Sequence, residues 1–185
     1  INNYVNKKIK NNFIVYTHCH SSSVSKSLIY SKRKGKKFKV YSTETRPLYQ
    51  GRRTARELAK EKIKVTNFVD SGMHEAIKNS DIIFLGADAI LKSGVINKIG
   101  STSVAEIAKV HKKPLYIVSD SWKFYPKDIK IEERDFHEVW KKVPKNVKVR
   151  NPAFEKIPKK YITGIISEKG ILKYSEFLKK AKKLI

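Results

Sequence analysis

The sequence predicts an α/β fold with a Rossmann-like, doubly wound and mainly parallel sheet of about six strands and helices on both faces. Short runs of β-branched and aromatic residues alternate along the chain with segments of helical periodicity, which is typical of parallel sheets with crossover helices. The clearest strand, Asp81 to Asp88, contains an unbroken apolar run, as expected of a strand that helices cover on both faces.

The individual elements follow from their local patterns. Six segments have the composition of strands: 13–16, 38–43, 65–69, 81–88, 115–118 and 161–167. Five segments have the periodicity or the capping residues of helices: one that opens with the serines at 21–23, then 52–62, 71–78, 102–111 and 175–184. The rest is predicted as turn, loop or short helix, including 94–100, 129–150 and 151–154.

Length and composition predict a single domain. A chain of 185 residues can bury one good core, which we assign to residues 13–185. The polar and basic segment 1–12 opens on Ile1 without a methionine. We interpret this segment as the end of an upstream helix or linker.

The cysteine content and the apolar runs predict a cytoplasmic location. Cys19 is the one cysteine of the chain, so no internal disulfide forms, which fits a reducing compartment. The sequence shows no apolar run long enough for a membrane span and no leader with a small-residue cleavage site. No membrane partner is therefore expected.

The strong positive charge makes nucleic acid a further hypothetical partner. Lys and Arg number 41 against 17 Asp and Glu, a net charge of +24, which attracts polyanions by counterion release. The lysines are spread along the whole chain, and the densest patch, Lys32 to Lys37, also has the pattern of a helix end and a turn. A lysine-rich composition or a hot habitat explains the charge as well as nucleic-acid binding does.

The first predicted strand ends in an unusual polar stretch, Thr17-His-Cys-His-Ser-Ser-Ser23. Cys19 lies in the turn between this strand and a helix that begins at the serines. A helix start carries partial positive charge and free N–H groups, so it lowers the pKa of a nearby thiol and also binds phosphate. The alternative is that Cys19 is a buried, inert thiol, because cysteine is among the most buried residue types.

Polar residues follow most of the predicted strands. In a parallel sheet the carboxyl ends of the strands meet at one edge, where open α/β sheets bind ligands. The residues that this rule places at that edge are Cys19, Glu44, Arg46, Asp70, Asp88 and Asp120. The sequence therefore predicts a polar pocket there.

Several kinds of site are excluded by their missing motifs. No Gly-x-Gly-x-x-Gly fingerprint follows the first strand and no Gly-x-x-x-x-Gly-Lys-Ser/Thr loop occurs, so no nucleotide cofactor is expected. His18 and His20 flank Cys19, but in an extended segment they point away from it, and the other histidines stand alone. We therefore predict no metal site.

The remaining chemistry is acid–base catalysis by a thiol and a carboxyl group. Moving a carbonyl along a sugar requires one group to take a proton from carbon and another to give one to oxygen. Cys19 is the candidate base if its pKa falls, and Asp88 is the candidate acid if desolvation keeps it protonated. For Asp88 the alternatives are a helix cap or an ion pair with Lys98.

Several ordered motifs between about Asn12 and Ile171 resemble those of one superfamily. The motifs are Thr17-His-Cys-His-Ser, Glu44-Thr-Arg-Pro with Gln50-Gly51, Asp70-Ser71, Gly86-Ala-Asp88, Asn97-Lys-Ile-Gly100, Lys123-Phe124 and Asn151-Pro-Ala-Phe154. The superfamily unites two aldose-ketose isomerases, methylthioribose-1-phosphate isomerase and archaeal ribose-1,5-bisphosphate isomerase, with the alpha, beta and delta subunits of eukaryotic initiation factor 2B. The resemblance implies a Rossmann-like carboxyl-terminal domain and a homo-oligomer, dimer or hexamer, or an assembly with related subunits.

The resemblance also implies roles for particular residues. Cys19 accepts the proton from C2 of the sugar, and Asp88 donates a proton to the ring oxygen through a phosphoenolate-like intermediate. The positions implied to bind substrate are Ser21, Ser22, Ser23, Arg46, Asn97, Lys98 and Lys123. The isomerases also carry an amino-terminal helical domain with phosphate-binding arginines, and this chain begins after the matching point.

Two hypotheses of different class result. The first is an isomerase domain most like ribose-1,5-bisphosphate isomerase, which converts ribose 1,5-bisphosphate to ribulose 1,5-bisphosphate without a cofactor. The second is a non-catalytic subunit of the initiation factor 2B type, which binds a sugar phosphate or a nucleotide and assembles with partner subunits. The regulatory subunits tend to lose the cysteine or to replace the aspartate by glutamate, whereas this chain retains both Cys19 and Asp88.

Overall fold

A computed structural model describes residues 1–181. The strands are β1 (Ile14–Thr17), β2 (Lys39–Thr43), β3 (Lys64–Phe68), β4 (Ile82–Leu85), β5 (Ala89–Ile90), β6 (Gly94–Lys98), β7 (Leu115–Val118), β8 (Phe154–Pro158), β9 (Gly164–Ser167) and β10 (Gly170–Leu172). The α-helices are α1 (Asn2–Lys8), α2 (Ser22–Arg33), α3 (Gln50–Lys60), α4 (Met73–Lys78), α5 (Ser101–Val110) and α6 (Tyr174–Ala181). Single 3₁₀ turns lie at Asp70–Gly72, Ser121–Lys123, Phe136–Glu138 and Lys159–Tyr161.

The main sheet has seven strands in the order β10-β9-β7-β4-β1-β2-β3. All neighbours are parallel except β10, which runs antiparallel to β9. The chain winds outward from β1 to β3, then returns to the other side of β1 and continues through β4 and β7 to β9. The switch point of this doubly wound topology therefore lies between β1 and β4, where such folds bind ligands.

Helices cover both faces of the sheet. On one face Val5 of α1, Leu28 of α2 and Leu58 of α3 are buried in one apolar cluster. On the other face Ile77 of α4 and side chains of α5 and α6 form a second cluster. All four residues of β4 are buried, and they alternate between the two clusters, which explains the unbroken apolar run in the sequence.

The predicted fold class is confirmed, and all six predicted strands occur in the main sheet. The seventh, β10, was missed, and β9 begins at Gly164, three residues after the predicted start of the last strand. The predicted closing helix is present as α6, and its predicted end at Leu184 lies outside the described residues.

The prediction of a loop over residues 94–100 is wrong. Residues Gly94–Lys98 form β6, which lies between β5 and β8 in a separate antiparallel sheet of three strands. The predicted turn at 151–154 ends where β8 begins. A Cβ atom on Gly94 would lie 2.2 Å from the Ile157 carbonyl oxygen, so glycine permits the close pairing there.

The first residues of the chain form α1, which packs against α2 and buries Val5 and Ile9 in the same cluster as the sheet. Whether residues 1–12 belong to an upstream unit stays a prediction. Among residues 1–181, no helix combines the length and the apolar character that crossing a membrane requires.

Candidate active site

Two adjoining cavities lie at the carboxyl edge of the main sheet, at the switch point between β1 and β4. Their volumes are about 260 Å³ and about 330 Å³. Four residues line both cavities: His20, Arg53, Asp88 and Asn97. Cys19 and Lys98 line the smaller one, which we call the thiol cavity, whereas Ser21, Ser22 and Lys123 line the larger one, which we call the serine cavity. Seven of the nine predicted site residues therefore meet in one place.

The backbone of Cys19 adopts the left-handed conformation, with φ at 65°. This conformation costs a non-glycine residue roughly 1–2 kcal/mol. Two hydrogen bonds hold it, since the Cys19 N–H donates to the Thr45 hydroxyl at 3.0 Å and the Thr54 hydroxyl donates to the Cys19 carbonyl at 2.9 Å. Each bond contributes about 1 kcal/mol, so together they offset the cost and fix the position of the thiol.

His18 is a structural residue below the cavities. Its Nε2 lies 2.9 Å from the Ile99 carbonyl oxygen, which can only accept, so Nε2 carries the proton. Its Nδ1 then accepts from the Thr43 hydroxyl at 2.6 Å. Burial lowers the pKa of His18, which keeps the ring neutral. Gly100 packs on this ring, because a Cβ atom there would lie 2.9 Å from Nε2.

The expectation that both histidines point away from Cys19 is wrong for His20. This ring lines the thiol cavity together with Cys19, because the left-handed backbone at Cys19 breaks the alternation of an extended strand. His20 Nδ1 lies 3.1 Å from the Thr54 hydroxyl and 3.8 Å from the Glu57 carboxylate. Burial lowers the pKa of His20, although Glu57 opposes this.

The predicted lowering of the Cys19 pKa is also wrong. Burial raises the pKa of the Cys19 thiol, and this effect outweighs the lowering by the backbone N–H of His20 and by the Lys98 ammonium. The free site therefore holds Cys19 as a thiol at neutral pH.

Asp88 follows β4 and lines both cavities. Desolvation raises the pKa of the Asp88 carboxyl group, against the lowering by Lys123 and Lys98, which agrees with the direction expected for an acid. Among the interactions found within residues 1–181, the Asp88 side chain takes part in no helix cap and no ion pair with Lys98. Its carboxyl group is therefore available to a ligand.

The cavities are rich in cations. Lys98 is only 5% exposed, and the lysines that form ion pairs within residues 1–181 are Lys156 and Lys169, not Lys98. Lys123 donates to the Ala87 carbonyl at 2.5 Å. The lining also includes Arg53 and Arg134, which pair with Glu57 and Glu138. Four cations face one lining carboxylate, which suits an anionic ligand.

The serines open α2 beside the loop that follows β4. The Ser21 hydroxyl accepts from the Val24 N–H at 3.4 Å and caps the helix. A Cβ atom on Gly86 would lie 2.6 Å from the Ser21 oxygen, so only glycine allows the two loops to approach this closely. The amino terminus of α2 and Asp88 are thereby brought to the same cavity.

Comparison with known proteins places this geometry in a family. Residues 1–174 match the model described as the Initiation factor 2 subunit family. The chain belongs to this family. A relative from Archaeoglobus fulgidus named ribose 1,5-bisphosphate isomerase is 39% identical over 174 residues, which are 90% of this chain and 56% of that protein.

Two solved structures of similar proteins have the same fold. Initiation factor eIF-2B subunit delta from A. fulgidus is 32% identical with a TM-score of 0.89, over 98% of this chain and 60% of its own. The 5-methylthioribose 1-phosphate isomerase from Pyrococcus horikoshii OT3 is 28% identical with a TM-score of 0.87, over 100% of this chain and 58% of its own. This member of the initiation factor 2 subunit family thus spans little more than half the length of the relatives it matches.

Two of the predicted site residues in this family domain line neither cavity. The Arg46 guanidinium instead donates to the Tyr49 hydroxyl and to the Val139 carbonyl. Ser23 lies one residue further into α2, where its carbonyl accepts from the Ser27 hydroxyl.

The other acids of the predicted edge hold the structure. The Asp70 carboxylate accepts from the backbone N–H groups of Thr45 and Arg46 at 2.8 and 2.6 Å. Glu44 pairs with Arg52 at 2.7 Å, and Asp120 is outside both linings. Among residues 1–181 no group of three or more His, Cys, Asp or Glu side chains has a metal-binding arrangement.

Four polar lining residues were not predicted from the sequence: His20, which was expected to point away from Cys19, and Gln50, Arg53 and Arg134. Gln50 and Arg53 lie one turn apart at the start of α3, so their i, i+3 spacing after a strand end is a signal that was available. Arg134 comes from the irregular segment between β7 and β8, where no periodicity predicts its position.

Proposed function

We propose that this domain is the catalytic half of a sugar-phosphate isomerase that converts ribose 1,5-bisphosphate to ribulose 1,5-bisphosphate. The observation that carries the proposal is the meeting of Cys19 and Asp88 in the thiol cavity beside the buried Lys98. An acid and a base that share a cavity lined by cations match what proton transfer on a phosphorylated sugar requires. The name of the A. fulgidus relative supports the choice of substrate.

The proposed reaction balances as two pairs of proton transfers. The Cys19 thiolate takes the proton from C2, the electron pair of that C–H bond forms a C1–C2 double bond, and the bond between C1 and the ring oxygen breaks. Asp88 gives its proton to the ring oxygen. The Cys19 thiol then returns a proton to C1, while the Asp88 carboxylate takes the proton of the C2 hydroxyl, which becomes the ketone. Cys19 ends as the thiolate and Asp88 as the protonated acid, the states in which the reaction began. Because the free site holds Cys19 as a thiol, the proposed reaction requires the thiol to lose its proton to solvent when the substrate binds.

The cations and the serines are proposed to bind the phosphates. Lys98 and Arg53 serve the thiol cavity, and Lys123 together with the first N–H groups of α2 serves the serine cavity. Lys98 is buried and has no acidic partner among the described residues. A buried cation is costly unless an anion pairs with it, which supports a direct contact between Lys98 and a phosphate.

The direct test is to incubate the full-length protein with ribose 1,5-bisphosphate and follow ribulose 1,5-bisphosphate by nuclear magnetic resonance. We expect the ketose to accumulate. If the full-length protein binds the sugar bisphosphate or a nucleotide tightly and forms no ketose, the regulatory-subunit hypothesis replaces the isomerase.

Lys98→Met is expected to raise KM at least tenfold, because a charge-assisted hydrogen bond to phosphate is lost from a buried position. The control is Lys92→Met, which removes an exposed lysine from the turn between β5 and β6. Steady-state kinetics on both variants measures the effect. Equal KM values for the two variants would remove Lys98 from the phosphate site.

The pH profile of kcat/KM is expected to be broad, with both limbs displaced upward. The active form has Cys19 deprotonated and Asp88 protonated. When Asp88 has the lower pKa of the two, the acid limb lies at the pKa of Asp88 and the alkaline limb lies at the pKa of Cys19. Burial raises the two pKa values above their ordinary values of 3.8 and 9.0. Because Lys98 lowers both, Lys98→Met should move both limbs further upward. An alkaline limb below pH 9.0 would contradict the assignment of Cys19.

We also propose that the domain forms a dimer or hexamer, or joins related subunits, in the cytoplasm. The relative named subunit delta supports this proposal, because its name describes it as a subunit. Among residues 1–181, six of the nine exposed large apolar side chains lie between Trp122 and Val147, which makes this segment the best candidate for a subunit interface.

Trp140→Asp is expected to lower the molar mass of the full-length protein in light scattering by at least half, because it places a charge in the proposed apolar contact. Val110→Asp is the control, since Val110 is 74% exposed but lies at the end of α5. A mass unchanged by Trp140→Asp would place the interface elsewhere.

A further inference from the structure

Two concave surfaces of the domain lie at the amino-terminal edge of the main sheet, opposite the active site. The first, which we call groove one, has a volume of about 410 Å³ and lies where β1, β2 and β3 begin. The second, groove two, has a volume of about 370 Å³ and lies where β7 and β9 begin. Strands of four or five residues separate both grooves from Cys19 by on the order of 15 Å.

Both grooves are lined by lysines and by no acid. Groove one has Lys32, Lys37, Lys39, Lys62 and Lys64. Groove two has Lys109, Lys112, Lys113 and Lys160. The lysine ion pairs found within residues 1–181 belong to Lys156 and Lys169, so none of these nine side chains is paired there.

The acids of the same edge are already engaged. The Asp81 carboxylate, just before β4, accepts from the Ile14 N–H at 2.7 Å. Glu61, which precedes Lys62, forms two hydrogen bonds with Arg33 at 2.8 and 3.2 Å. An anion that binds to the groove lysines therefore does not have to displace either of these carboxylates from a lysine.

The helix ends account for part of this pattern. The amino-terminal edge of the sheet receives the carboxyl ends of α3 and α5, where the helix dipole favours one or two cations per end. Lys62 and Lys112 follow the ends of these helices and adopt the left-handed conformation, with φ at 58° and 53°. Glycine or asparagine would be less strained at these two positions. The strand-start lysines Lys39 and Lys64 have no such explanation.

We infer that the amino-terminal edge is a sequence-independent binding surface for nucleic acid. The strand order places the two grooves about three strand spacings apart, on the order of 15 Å. A duplex carries one phosphate per strand for roughly each 3.4 Å of its axis, so about five base pairs reach both grooves. A repeated row of phosphates is the anion that fits two concave lysine-lined surfaces on one edge.

A membrane surface fits this edge less well. A flat anionic bilayer meets convex surfaces and is held by apolar side chains that insert beside the lysines. Of the exposed large apolar side chains in the described part of the chain, Val110 is the one that the topology places beside a groove. The others lie in the loops at the carboxyl edge or in the segment from Trp122 to Val147.

The test compares three triple variants of the full-length protein that each remove three positive charges. The first is Lys37→Gln, Lys39→Gln and Lys64→Gln in groove one. The second is Lys109→Gln, Lys112→Gln and Lys113→Gln in groove two. The control is Lys173→Gln, Lys179→Gln and Lys180→Gln, three exposed lysines at and within α6 that line neither groove.

The measurement is fluorescence anisotropy with 20-base-pair RNA and DNA duplexes at several salt concentrations. We expect each groove triple to bind at least tenfold more weakly than the control triple at 0.1 M salt. The slope of log K against log salt should become shallower by about 2 to 3, because three phosphate contacts are lost. Isomerase turnover should be unchanged in the groove triples, which separates this surface from the active site.

Other outcomes overturn the inference. If the control triple weakens binding as much as the groove triples, net charge alone is responsible. If the wild type binds neither duplex at low salt, or binds anionic vesicles and no duplex, the surface is not a nucleic-acid site. The two groove triples change different elements of the fold. If a lowered melting temperature shows that one triple variant is unfolded, the other variant still tests the inference.

Discussion

Cys19→Ser is expected to lower kcat for ribose 1,5-bisphosphate by about 10³-fold, within the range that removal of a general base produces. The change replaces one sulfur by oxygen at a site whose backbone is held by Thr45 and Thr54, so the fold should persist. A hydroxyl group is a far weaker acid than a thiol, and burial already raises the pKa of the thiol at this position. Serine therefore stays protonated and cannot accept the C2 proton.

The controls for Cys19→Ser are the melting temperature and substrate binding. Cys19 is the one cysteine of the described chain, so a thiol reagent applied to the domain modifies this residue alone. Bound substrate should slow the modification of Cys19. Turnover within tenfold of the wild type in Cys19→Ser would show that another group removes the proton.

Asp88→Asn is expected to lower kcat by about 10²- to 10³-fold, because an amide donates a hydrogen bond but gives up no proton. The pH profile of the remaining activity should change from a plateau with two limbs to a single rise that ends at the pKa of Cys19, because ionisation of the thiol is then the one titration that activity requires. A merely structural role of Asp88 would leave both limbs in place.

The matched control is Asp120→Asn. Asp120 follows β7 at the same edge of the sheet as Asp88 but lines neither cavity. Its change should leave kcat within about twofold. If the two variants lose activity equally, the carboxylates of this edge act through overall charge and Asp88 is not the acid.

The part of the site that comes from parallel strand ends was predictable. The apolar runs that become β1 and β4 are visible locally, and the doubly wound topology makes the two strands neighbours. Cys19 and Asp88 follow these strands, so their meeting at the switch point follows from topology alone. The motifs shared with the isomerases added Asn97, Lys98 and Lys123.

The part that depends on non-local contacts was not predictable. β6 has a glycine at one end and two polar residues at the other, and it becomes a buried strand only because β5 and β8 pair with it. The left-handed backbone of Cys19, which turns His20 into the thiol cavity, depends on hydroxyl groups 26 and 35 residues further along the chain. Burial of the thiol, which reverses the expected pKa shift, is likewise a property of the packed domain.

The most direct measurement is a crystal structure of the full-length Cys19→Ala variant with ribose 1,5-bisphosphate. The account predicts the sugar between residue 19 and Asp88, with C2 facing the former position of the sulfur at about 3 to 4 Å and the ring oxygen within hydrogen-bond distance of the Asp88 carboxyl group. A sugar bisphosphate bound outside the thiol and serine cavities, or with C2 turned away from residue 19, would contradict it.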